Sequence, residues 1–138
     1  MFIFIKSFVQ FKLEVLNTKS TYRWVNNFQS IVDNSRNQTV IMDLPPGNEG
    51  DDTGPTALEF AVMSFSGCIR TIFALVAKKM RLTFDKLDVI LEAEKGPGDP
   101  TVTKVSAEVY VKSTEPAEKL QKCLDTTMNS CPVGVIYK

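Results

Sequence analysis

Three thiols, at Cys68, Cys123 and Cys131, are the strongest nucleophiles in this 138-residue sequence, and it holds no histidine. The thiolate form of cysteine attacks electrophiles and binds metals, so sulfur redox chemistry is open to the chain. The missing imidazole removes Ser-His-Asp and Cys-His hydrolysis, histidine-bound zinc or iron, and any histidine proton transfer. Acid–base work falls to carboxylates, lysines, tyrosines and the thiols themselves. An odd number of cysteines without a Cys-x-x-Cys pair fits neither an extracellular disulfide framework nor a thioredoxin-type motif, and points to a reducing cytoplasm. A cysteine-only zinc site would need a fourth ligand from elsewhere.

The positions of the thiols separate their roles. Cys123 lies eight residues before Cys131, about 12 Å apart on a helix and too far for a disulfide there. A lone buried cysteine ordinarily serves as a small hydrophobe, which is the reading for Cys123. Ser64, Cys68 and Thr71 fall at helical spacing and make a narrow polar seam beside apolar neighbours. Their hydroxyls could help hold a thiolate. Equally, Ser66 and Gly67 are small enough for another segment to pack closely against this seam. Cys131 directly precedes Pro132. If a helix restarts at that proline, Cys131 stands at its N-terminal end, where free N–H groups favour a thiolate.

Hydrophobic periodicity supplies the elements that must position these groups. Val9, Phe11, Leu13 and Val15 alternate with polar residues, as in a half-buried strand. Tyr22 to Val25, Phe28 to Val32 and Thr39 to Leu44 read as further strands, with turns at Asn26-Asn27 and Asp33 to Asn37. Pro45 to Gly54 is a ten-residue loop, long enough for function but equally suited to a plain crossover. Pro55 suits the first turn of a helix. Leu58, Val62, Phe65, Ile69, Ile72, Val76 and Met80 then follow at spacings of three and four. Phe60, Met63, Phe73 and Leu75 add apolar groups on other faces. A helix from Thr56 to Met80 is therefore expected to be buried nearly all round, in a large core or a dimer. Ala57 to Ala77 is long enough to span a bilayer, but Glu59 and Arg70 interrupt it, and a charge costs ~2.5–3.5 kcal/mol at mid-membrane. The reading is a buried helix and no membrane.

Leu87, Val89, Leu91 and Ala93 pair with Val105, Ala107, Val109 and Val111 as a hairpin across a Gly-Pro-Gly turn. Thr114 or Glu115 is expected to cap a second helix with Pro116 in its first turn. Its inner stripe is Ala117, Leu120, Leu124, Thr127 and Met128, with Cys131 about 20° from Leu120 around the axis. Pro132 kinks or restarts that helix. A composition of 43% hydrophobic and 23% charged residues suits one domain over residues 1–138. Sixteen basic and sixteen acidic side chains cancel, so the broad positive field that nucleic acids require is absent. The short apolar start, Met1 to Lys6, lacks a basic leader and a cleavage site and is not read as a signal peptide.

Two stretches carry a family resemblance. Gly54-Pro55-Thr56-Ala57-Leu58-Glu59-Phe60, followed by Ser66-Gly67-Cys68, resembles the G-P-S-P-L-E-L…A-G-C signature of the OsmC/Ohr superfamily. These are the osmotically inducible and organic hydroperoxide resistance proteins. Ser130-Cys131-Pro132-Val133 is similar to the family's second signature, C-P-V or C-P-I, and the 63-residue separation of the two cysteines is close to the family's. The resemblance implies an α+β fold, OsmC-like, in which antiparallel sheets wrap a long buried central helix in an intertwined homodimer. It also implies a thiol-dependent peroxidase for organic hydroperoxides. The cysteine matching Cys68 attacks the peroxide and becomes a sulfenic acid. The cysteine matching Cys131 condenses with it to a disulfide, and a thiol or dithiol reductant restores both. The cycle uses no cofactor and no metal.

The sequence departs from the family pattern at the groups around the thiol. No Arg stands where the family's peroxidases place one, near Asn27 or from Pro46 to Asp52. Arg36 is the nearest substitute, on a turn of the sheet that relatives fold over the cysteine helix, and Arg23 is next. Arg70, two residues from Cys68, points about 160° away. Leu58 stands where Ohr proteins carry a carboxylate, and Glu59 matches the Glu of the wider group. The catalytic set expected from the resemblance is Cys68, Cys131, Arg36 and Glu59, with Glu59 orienting the guanidinium or simply pairing with its own helix dipole. The alternative is a dimer of the same fold that binds a small apolar ligand or partner without turning over peroxide.

Overall fold

The computed structural model describes residues 18–137; the strand expected over Val9 to Val15 lies outside them. β1 (Thr21–Asn26), β2 (Gln29–Asp33) and β3 (Thr39–Met42) form an antiparallel meander. The first turn falls on Asn27 and Phe28, not on Asn26-Asn27. Trp24 faces Ser30 while Asn26 faces Gln29, so Val25 is an extra residue in a bulge that moves the turn on by one. Asn27 takes the positive φ of 48° that asparagine tolerates.

The Pro45–Gly54 loop is a tied crossover. Asn27 Nδ2 donates to the Glu49 carbonyl at 2.8 Å, and Gln29 Nε2 to Thr53 Oγ1 at 2.9 Å. The buried carboxylate of Asp43 accepts from the Thr53 hydroxyl at 2.7 Å and the Thr53 N–H at 3.1 Å. These bonds, the hydroxyl first, hold the Asp43 carboxyl below its usual range. The loop thereby delivers the chain to α1 (Ala57–Lys79) at a fixed angle. Pro55 lies outside that helix. Thr56 is the N-cap: its hydroxyl accepts the Glu59 N–H at 3.1 Å, and Glu59 Oε2 accepts the Thr56 N–H at 2.8 Å. That reciprocal capping box satisfies two of the helix's free donors and sets its start.

Phe65, Ile69, Phe73 and Ala77, four residues apart, are the buried face of α1. The hairpin of β4 (Lys86–Glu94) and β5 (Lys104–Lys112) brings Val89, Leu91, Val105 and Val109 to Phe65 and Ile69. α2 (Ala117–Ser130) brings Leu120, Cys123 and Leu124 to Phe73 and Ala77. Phe73 has no exposed surface and meets Phe84 edge-on at 5.6 Å; burying such a ring contributes roughly 1.5–3 kcal/mol. α2 begins later than expected. Pro116 is its N-cap, because the Glu115 carboxylate is taken by the N–H and hydroxyl of Thr83 across the fold. Ala117 is exposed, so the inner stripe starts at Leu120.

α1 is long and apolar enough to cross a membrane by length and mean hydropathy, 1.8 over its best window, yet here it carries the core. The pattern predicts burial nearly all round, but in a single chain only one side of the helix is covered. Met63 and Leu75 are exposed, at 54% and 52%, and a Cβ added at Gly67 would meet nothing within 4 Å. β1–β3 contribute no residue to either core cluster among the described residues. The exposed aromatics Tyr22, Trp24 and Phe28 lie on that sheet or its first turn.

Candidate active site

The fold brings two of the four expected residues together. Cys68, midway along α1 and partly buried, accepts a hydrogen bond from Cys131 Sγ at 2.8 Å, and both thiols are free. Cys131 is fully buried in the same cluster as Phe65 and Ile69. α2 ends at Ser130, and Cys131 is its C-cap in extended geometry, with φ −71° and ψ 112°. Pro132 does restart the chain, but as a 3-10 turn over Gly134–Tyr137. The Gly134 N–H donates to Cys131 Sγ at 3.3 Å, so the restarted turn does face the sulfur with an N–H group. Cys123 is apart, fully buried on α2 with its Sγ 3.8 Å from the Phe73 carbonyl, as its reading as a small hydrophobe expects.

Burial, and then the adjoining Cys131 thiol, push the Cys68 thiol up, while the Val133 backbone N–H pulls it down. Burial likewise pushes the Cys123 thiol up. A group held neutral this way stabilises the fold until its unfolded counterpart ionises. Below an ordinary thiol value of about 8.5 both states are protonated and nothing changes. As the pH rises through that value the unfolded chain loses its protons first, so stability falls. Urea midpoints should accordingly drop between about pH 8 and pH 9.5, and the Cys68→Ala, Cys123→Ala double variant should flatten that decline. An undiminished decline in the double variant would contradict this.

The seam around Cys68 does not hold its sulfur. Ser64 Oγ donates to the Ala61 carbonyl at 2.7 Å, and Ser66 Oγ to the Met63 carbonyl at 2.8 Å. Both hydroxyls satisfy carbonyls of their own helix, and neither they nor Thr71 make a described hydrogen bond to the Cys68 sulfur. Arg36 sits in an exposed turn where its backbone N–H donates to Asn34 Oδ1. Its guanidinium makes no described hydrogen bond or ion pair, so a single chain does not bring it to Cys68. Arg23 is engaged with Asp33 at 2.8 Å. Glu59 has one carboxylate oxygen in its own helix cap. Among the described residues no cluster of three or more His, Cys, Asp or Glu is placed to hold a metal.

Three residues that periodicity does not flag lie around the thiol pair: Val133, whose N–H meets the Cys68 sulfur, and Gly134 and Tyr137 against Phe65. Gly134 is buried, and a Cβ there would stand 2.9 Å from Phe65 Cε2. Tyr137 stacks on Phe65 with ring centroids 5.0 Å apart and planes 9° from parallel. Near the start of α1 a cavity of about 440 Å³ is lined by Pro55, Leu58, Glu59, Val62, Met63 and Ala93.

The family model for OsmC-like proteins matches residues 50–136. No curated protein matches the chain. Solved structures share its fold. An OsmC-like protein from Mycoplasma pneumoniae superposes with a TM-score of 0.78 at 14% identity, covering 88% of this chain and 86% of that one. A Psychrobacter arcticus protein named for osmotic-stress induction and detoxification gives 0.75 at 21% identity, covering 90% of each chain. The organic hydroperoxide resistance protein OhrB of Bacillus subtilis gives 0.60 at 16% identity, covering 89% of this chain and 91% of that one.

Proposed function

Since the chain belongs to the OsmC-like protein family, we propose that it is a thiol-dependent reductase of organic hydroperoxides, acting as a homodimer in a reducing cytoplasm. The observation that carries this reading is the Cys68–Cys131 contact at 2.8 Å, which joins two thiols 63 residues apart. The name of the Bacillus subtilis structure points to the same substrate class.

The Cys68 thiolate attacks the terminal oxygen of the hydroperoxide. The O–O bond breaks, the alkoxide takes a proton and leaves as an alcohol, and Cys68 is oxidised to the sulfenic acid. Cys131 sulfur then attacks the Cys68 sulfur. The S–S bond forms, the S–O bond breaks, and the hydroxyl leaves as water with the Cys131 proton. A dithiol reductant reopens the disulfide by two exchanges. Capture by Cys131 protects the sulfenic acid from further oxidation.

A thiol pushed up by burial needs a cation or donors to ionise at neutral pH. Arg36 is our nominee for the cation, delivered by the three-stranded sheet when two protomers intertwine. Glu59, with one carboxylate oxygen outside its cap, orients that guanidinium. The open face of α1, and a sheet that adds no residue to either hydrophobic core cluster among the described residues, support the dimer. The cavity at the start of α1 favours a second reading, a dimer that binds a small apolar ligand without turnover.

One test separates the readings. After one equivalent of an alkyl hydroperoxide, peptide mapping should find a Cys68–Cys131 disulfide and one equivalent of alcohol. Thiols that stay reduced, or a link through Cys123, would leave the ligand-binding reading.

A further inference from the structure

We propose that Tyr137 is a positioning residue for the resolving step: its stack on Phe65 seats the closing turn so that the Cys131 sulfur stays against Cys68. The inference rests on the peroxidase reading above and assigns a role to a side chain that does not touch the reacting atoms.

Cys131 needs such a support because of where it lies. It stands past the last helical residue of α2, in extended geometry, so the helix does not fix its sulfur. The closing turn fixes it instead. The Gly134 N–H donates to Cys131 Sγ at 3.3 Å, and the Val135 N–H donates to the Cys131 carbonyl at 3.2 Å. The turn that carries both donors must itself be held. Val135 and Ile136 face out, at 57% and 80% exposure, and give it no anchor. Cavities of about 500 Å³ and 220 Å³, between this segment and β5, flank Tyr137. Close packing from that side therefore does not wedge the turn in place. The parallel stack of Tyr137 on Phe65 does, together with the partly buried Val133. Phe65 is itself fixed, 5% exposed in the core and one helical turn before Cys68. Gly134 lets the turn lie flat on that ring, since any Cβ there would press on it. The ring of Phe65 thus references the resolving thiol to the same helix that carries the attacking thiol. A misplacement of about 1 Å costs such a reaction on the order of a hundredfold.

The test reads the two steps separately. Reduced wild-type protein, Tyr137→Ala, Tyr137→Phe and Gly134→Ala are mixed with one equivalent of an alkyl hydroperoxide. First-step thiol loss is followed at early times, and the sulfenic acid is trapped at intervals with a cyclic 1,3-dione. In Tyr137→Ala and Gly134→Ala, disulfide closure should slow about tenfold and trapped sulfenic acid should accumulate, with the first step within about twofold of wild type. Tyr137→Phe keeps the stack and should close at the wild-type rate. Closure at the wild-type rate in Tyr137→Ala would overturn the proposal, as would equal slowing of both steps, which marks a merely structural role. A wild-type protein that forms no Cys68–Cys131 disulfide overturns the peroxidase reading and this inference with it; normal closure in wild type with no change in Tyr137→Ala overturns this inference alone.

Discussion

Replacing Cys68 with serine should cut hydroperoxide consumption at least about a thousandfold, roughly 4 kcal/mol of barrier. Only a thiolate attacks the O–O bond at a useful rate, and a serine hydroxyl is not ionised near neutral pH. Cys131→Ser should behave differently. Its Cys68 still attacks and releases one alcohol per protomer in the first step, but the sulfenic acid has no partner, and excess peroxide takes it on to the sulfinic acid with release of a second alcohol. Cys123→Ser should keep turning over, because that sulfur faces the Phe73 carbonyl and lies apart from the thiol pair. Coupled consumption assays with mass spectrometry of the three variants check this pattern. Full turnover in Cys68→Ser, or its loss in Cys123→Ser alone, would contradict the assignment.

In the homodimer proposed above, Gly67→Glu should reduce a species of twice 15.4 kDa to a monomer of 15.4 kDa by sedimentation. Gly67 lies in the interior of α1, opposite its buried face, and space is open around it in one chain. A glycine there weakens an isolated helix by roughly 0.5–1 kcal/mol against ordinary residues. In a monomer the substitution would therefore be harmless or stabilising. In a dimer whose α1 helices meet on this face, it places a carboxylate where the other helix must approach, and removing a charge from water costs several kcal/mol. Loss of the dimer with retained helical circular dichroism is the expected result. A wild-type protein that is a folded monomer at micromolar concentration would remove the basis of this prediction.

Much of the fold is legible because it repeats. Alternating burial along Lys86–Glu94 is the period-two pattern written in Leu87 to Ala93, and Lys104–Lys112 follows the same pattern at Val105, Val109 and Val111 but breaks it at Ala107, which is exposed. The apolar spacings of three and four from Leu58 to Met80 likewise announce α1, but the fully buried line is Phe65, Ile69, Phe73 and Ala77, so Phe73 lies on the core face and not on another one. Ends and turns are harder, since single contacts set them. Pro55 suggests the helix start, although Thr56 and Glu59 three residues on already spell the capping box that locates it. Glu115 has the look of a cap, but its carboxylate bonds Thr83, a partner 32 residues distant that no local pattern shows. The thiol pair is legible only through the signatures around Cys68 and Cys131. No periodicity relates a helix midpoint to a C-cap. Tyr137 and Gly134 are invisible for the same reason: an aromatic stack and a close approach of backbone to ring leave no repeat in the chain.

Rapid mixing of the reduced wild-type protein with an alkyl hydroperoxide, with thiols counted over time, decides whether the thiol pair turns over peroxide. Two thiols per protomer, those of Cys68 and Cys131, should be lost at a rate that rises linearly with peroxide concentration, with Cys123 left reduced. Retention of all three thiols through excess hydroperoxide would contradict the peroxidase reading.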